Sequence, residues 1–169
     1  KFYQYLLYNG RMTSYLRQHL PFILLLVGTA AFILYFSLFT IIRYQKLYSH
    51  YFDLGIMHQT VHNTYMGLKT GDMSRILEMT DPHSSLDQVK RMSVHNDIFL
   101  ALLAPFYFIH AGPETILVIQ VTVVAMGAYV ILLIGEELFR KTKYGPWIAL
   151  SFAISYLLYP PLQKAVNFD

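Results

Sequence analysis

His58 and His62 stand four residues apart, a spacing that puts two imidazoles on one helix face within reach of one metal ion. No acidic residue completes a zincin-type motif, since Gln59 follows His58, and the alternative is a wetted helix face. Lys90 and Arg91 close a polar stretch and suit a phosphate or a lipid headgroup at a membrane surface. His95 and Asp97 flank Asn96 directly before an apolar run. That pair serves as helix cap, acid/base pair or metal ligands. Asp53 occupies the position of an N-cap, where a carboxylate accepts backbone N–H bonds.

These groups share one polar segment, residues 43–97, which holds five of the chain's 7 histidines. Around it lie long apolar runs. Pro21 to Ile42 carries no charge and is long enough to cross about 30 Å of hydrocarbon, as is Thr115 to Gly135. Tyr144 to Gln163 is a weaker third run, with Pro146 near its start and Pro160-Pro161 near its end. Ile98 to Ile109 is too short to cross, contains Pro105, and reads as an interfacial or re-entrant helix. The expectation is an all-α membrane protein, with spans over about 21–42, 114–137 and 145–162. Residues 43–113 form the external loop between the first two spans.

Charge asymmetry orients it. If Ile98–Ile109 does not cross, Lys1, Arg11 and Arg17 share a side with Arg140, Lys141 and Lys143, as the positive-inside rule requires. The N-terminus is then cytoplasmic in a multi-pass cytoplasmic-membrane protein, and the loop and Asp169 lie outside. Glu136-Glu137 becomes a solvated pair on the inner side. The start at Lys1 and the stop just after an apolar segment suggest the N-terminal region of something longer.

Within the loop, Leu54, Met57, Val61, Tyr65 and Leu68 recur at spacings of three and four. They predict a helix with an apolar face for the membrane surface, broken by Gly67 and Gly71. Residues 70–91 are turn-rich and read as a surface loop or a lid.

Charged residues make up 14% of the chain, against about 25% in soluble domains. With Cys 0, disulfides and thiolate metal sites are excluded. No basic patch interleaved with aromatics points to nucleic acid. A transporter is disfavoured, because no span carries an ionisable residue at its centre and Gln120 alone does not suffice.

Three blocks carry a family resemblance: Tyr51-Phe-Asp-Leu-Gly-Ile-Met-His-Gln59 with Asn63-Thr64 and Gly67; His95 followed by Leu102-Leu-Ala-Pro-Phe-Tyr107; and Asn167-Phe-Asp169. In this order the chain resembles the N-terminal part of GT-C-type membrane glycosyltransferases, and most of all a prokaryotic family of predicted membrane proteins with no assigned activity. It departs from the pattern at His58, where an acidic residue is usual, at His62, where an aromatic is, and in a longer insertion over residues 73–90.

The resemblance implies a partial GT-C-like bundle with juxtamembrane helices, and sugar transfer from a polyprenyl-phosphate donor on the extracytoplasmic side. Asp53 would be the general base on the acceptor or would orient it, and Gln59, Asn63, Lys90 and Arg91 would bind substrate. His95 and Asp169, with His58, would hold a divalent metal, magnesium or manganese, or bond the departing phosphate. The competing expectation is a non-catalytic membrane subunit whose loop binds a partner protein or lipid.

Overall fold

The computed structural model describes residues 2–49, 51–81 and 87–167, with side chains described from residue 19 onward except at Tyr51. Helix α1 runs from Phe2 to Gln45 and α2 from Tyr51 to Thr70. Strands β1 (Glu78–Thr80) and β2 (Gln88–Lys90) follow, then a 3-10 helix over Ile98–Phe108. Helices α3 (Pro113–Leu138), α4 (Gly145–Leu157) and α5 (Pro160–Val166) complete the order.

The fold is all-α apart from one small sheet. Two helical stretches, His19–Gln45 and Pro113–Leu138, are long and apolar enough to cross a membrane. The first includes the expected run, but α1 begins far upstream of Pro21. That proline removes one N–H bond without ending the helix. The third apolar run differs from its expected form. It stops as a helix at Leu157, and Pro160 starts a separate helix at a position where its missing N–H costs nothing. With 13 residues, α4 is about 20 Å long, short of a bilayer core.

The chain divides into two compact units, residues 1–38 with 121–167, and residues 39–120. In the first, Leu25, Phe32 and Phe36 of α1 form a core with Val121, Ala125, Ala128 and Leu132 of α3 and Ala149, Leu150, Ala153 and Leu157 of α4. Small residues set the spacing between α3 and α4. A Cβ on Gly135 would stand 2.7 Å from that of Ala149, so only glycine permits this approach. Tyr156 then donates its hydroxyl proton to the Val124 carbonyl at 2.9 Å.

The second unit is built on α2. Leu54 and Val61 are buried with Leu100, Leu103, Ala104 and Tyr107 of the 3-10 helix, and Met57 and Tyr65 pack against them. The face expected to lie on the membrane surface is therefore an internal one. The apolar partner it needed is the Pro-containing helix forty residues on. Burying a Val or Leu from water contributes about 1.5–3 kcal/mol, enough to fix this pair of helices. Gly71, at φ +78°, ends α2 in the left-handed conformation glycine adopts freely.

Residues 71–81 and 87–97 are more ordered than a turn-rich loop. β1 and β2 pair antiparallel, with Met79 opposite Val89 and Met79 fully buried. The turn-forming residues of the sequence hide this, because each strand is only 3 residues long.

Candidate functional site

The polar face of α2 positions this hairpin. Gln59 and Asn63, one helical turn apart, reach residues two apart on β1. The Gln59 amide donates to the Thr80 hydroxyl at 2.8 Å and accepts from the Thr80 backbone N–H at 3.1 Å. Asn63 donates to the Glu78 carbonyl at 3.0 Å and accepts from Arg75 at 3.4 Å. Thr64 accepts the Leu77 N–H at 2.9 Å. That bond holds a buried leucine at φ +54°, a conformation costing roughly 1–3 kcal/mol. Side-chain amides thus supply the bonds a neighbouring strand would otherwise make.

The two basic residues of the polar stretch are held internally. Lys90 donates from its ammonium to the carbonyls of Ser74 and Ile76, the latter at 2.9 Å. Arg91 is 8% exposed; its Nε and Nη2 meet Asp97 Oδ2 at 2.7 and 2.6 Å. Asp97 does occupy the N-cap position of the 3-10 helix, but its side chain caps no backbone N–H. The guanidinium offers two charge-assisted bonds and takes the carboxylate instead.

His58 is tied to the 3-10 helix. Its Nδ1 lies 2.8 Å from the Tyr107 hydroxyl, and its ring centroid is 5.8 Å from that of His62. Burial lowers the His58 pKa from its usual 6.5, the positive form of His62 lowers it further, and Glu114 opposes both. Burial likewise pushes the Tyr107 hydroxyl well above the usual phenol range, helped by Glu114 and Tyr44. The phenol therefore stays protonated, and the bond runs from it to Nδ1 or from Nδ1–H to its oxygen according to the imidazole tautomer.

Asp53 stands inside the first turn of α2 and not ahead of it, since the helix begins at Tyr51. The carboxylate is exposed and makes no hydrogen bond or ion pair among the described residues. His95 is exposed as well; its backbone N–H bonds to the Arg91 carbonyl at 2.9 Å. Asp169 and His83 lie outside the described residues.

Among the described residues no three His, Asp or Glu side chains gather to hold a metal ion. His58 has its Nδ1 bonded to Tyr107, and with Asp169 outside the described residues only His58 and His95 of the expected ligand set are described. No chemical step is derived through a metal.

A cavity of about 360 Å³ opens in the same unit, lined by Ile41, Phe106, Ile109, Val118 and Ile119 together with His110, Glu114 and Thr115. His110 Nε2 lies 3.3 Å from Glu114 Oε2. Neither His110 nor Glu114 stands out in the sequence, and Tyr107 enters only as the end of the second resemblance block. The signal available was a tyrosine inside an otherwise aliphatic and phenylalanine run, and a histidine four residues before a glutamate.

The family described as "Predicted membrane protein (DUF2079)" matches residues 43–169. No curated protein and no solved structure matches the chain.

Proposed function

Because this chain belongs to the DUF2079 family of predicted membrane proteins, we propose that it is the N-terminal part of a GT-C-like membrane glycosyltransferase, with Asp53 as the base. The donor is a sugar on a polyprenyl phosphate, and the acceptor a hydroxyl or amide on the extracytoplasmic side. The acceptor atom bonds to the anomeric carbon as the bond to the phosphate oxygen breaks. The acceptor's proton passes to Asp53, the phosphate leaves with the bonding electrons, and one displacement inverts the anomeric centre.

The observation that carries this reading is the state of Asp53. Gln59, Asn63, Lys90, Arg91 and Asp97 are bonded within the unit, whereas the Asp53 carboxylate is exposed and free among the described residues. Its setting adds support. Ile41, near the end of the first span, lines one cavity with Thr115 and Val118, at the start of the second. Chain that leaves the membrane at Arg43 and re-enters at Pro113 on the same face keeps Asp53 and His95 in one compartment. The basic residues Arg140, Lys141 and Lys143 then fall on the other, cytoplasmic side.

Asp53→Asn in the full-length protein, assayed in membranes supplied with polyprenyl-phosphate sugars, is the test. Loss of transfer by at least about 100-fold is expected for a missing general base. Full transfer by a folded variant removes Asp53 from the mechanism and leaves the non-catalytic subunit as the better account.

A further inference from the structure

The cavity between the end of α1, the 3-10 helix and the start of α3 has no part in the transfer chemistry above. Its walls are Ile41, Phe106, Ile109, Val118 and Ile119, and a polar ligand would lose its water there without gaining bonds. Ile41 and Val118 belong to the two helical stretches that are long enough to cross a membrane, and each lies near a span end. The groove therefore sits where spans leave the hydrocarbon, the depth of lipid headgroups and the first methylenes.

The polar residues in its lining select the headgroup. Glu114 is the one carboxylate among the lining residues, and no lysine or arginine lines the groove among the described residues. Its side chain is 25% exposed, while its neighbour His110 is 63% exposed and forms an ion pair with it only when protonated. The backbone makes room for this arrangement. A Cβ on Gly112 would collide with Glu114 Oε2 and stand 2.7 Å from His110 Nε2. An anionic headgroup meets a like charge there. A primary ammonium brings N–H donors to an acceptor-only group, and a trimethylammonium brings none.

We propose that this groove binds an ethanolamine phospholipid of the surrounding bilayer, with an acyl chain between Ile41, Phe106 and Val118 and the ammonium on Glu114. The inference stands apart from sugar transfer, since neither Glu114 nor Val118 belongs to the proposed transfer machinery.

The test is lipid retention by the full-length protein in detergent micelles, read by native mass spectrometry with dioleoyl phosphatidylethanolamine, phosphatidylcholine and phosphatidylglycerol added in turn. The ethanolamine lipid is expected to be held about tenfold more tightly than the other two, the worth of one charge-assisted bond at a partly exposed site. Glu114→Gln, close to isosteric, should abolish that preference while keeping the wild-type thermal midpoint. Val118→Trp, which fills the groove, should cut retention of all three lipids. Equal retention of the three by the wild type, or a preference that survives Glu114→Gln, overturns the proposal. Transfer activity unchanged in both variants separates this outcome from any failure of the glycosyltransferase reading.

Discussion

The Tyr107 hydroxyl lies 2.8 Å from Nδ1 of His58, joining the 3-10 helix to α2 across 49 positions of sequence. Tyr107 is 1% exposed and belongs to the apolar core of the loop unit, and the bond it makes to His58 is part-buried. It fixes the orientation of the His58 imidazole beside His62, whose ring centroid is 5.8 Å away.

Acid should loosen this unit. The folded pKa of His58 is below the unfolded 6.5, so the unfolded chain binds the proton more tightly. The associated stability is fully present above pH 6.5 and is lost as the pH falls below it, through the folded value. Thermal melts of the detergent-solubilised protein should show a midpoint that drops on acidification below 6.5. His58→Gln should flatten that part of the profile, and a parallel drop in the variant would assign it to other groups.

Arg91→Ala should cost stability and not substrate affinity as such. It leaves Asp97 without its guanidinium at a partly buried site, at about 2–3 kcal/mol. A lowered unfolding midpoint, with Asp97→Asn lowering it less, is expected. A variant that melts like the wild type but loses donor binding would return Arg91 to the phosphate-binding role.

Gln59→Ala and Asn63→Ala should each release the hairpin from α2, at about 1 kcal/mol per bonded amide. Hydrogen exchange should quicken over residues 78–90, and exchange within α2 should change little. Unaltered protection of β1 would mean that the sheet needs no side-chain clamp.

What the sequence makes legible follows from the range of the forces involved. The two long apolar helices are visible because crossing hydrocarbon demands an unbroken run, and α2 because its apolar spacing is local. Ile98–Phe108 is legible as a short helix from its length and Pro105. The partners are not legible. Arg91 with Asp97, Gln59 with Thr80 and His58 with Tyr107 are choices made by the fold, and lone-residue chemistry suggested phosphate, acceptor and metal in their place. Strands of 3 residues are too short to show an alternating pattern, so the hairpin was read as turns. The apolar face of α2 was placed on the membrane because nothing local says that the 3-10 helix will cover it.

The functional account rests on residues 43–112 leaving and rejoining the membrane on one face, the extracytoplasmic one. With Cys 0 in the chain, single cysteines give a clean readout. Tyr48→Cys and Ala111→Cys stand at exposed positions on either side of the 3-10 helix, and Lys141→Cys stands between α3 and α4. A membrane-impermeant maleimide applied to intact cells should label the first two and spare the third. Labelling of Tyr48→Cys without Ala111→Cys, or the reverse, would mean that Ile98–Phe108 crosses the bilayer, and Asp53 and the start of α3 would then lie on opposite sides.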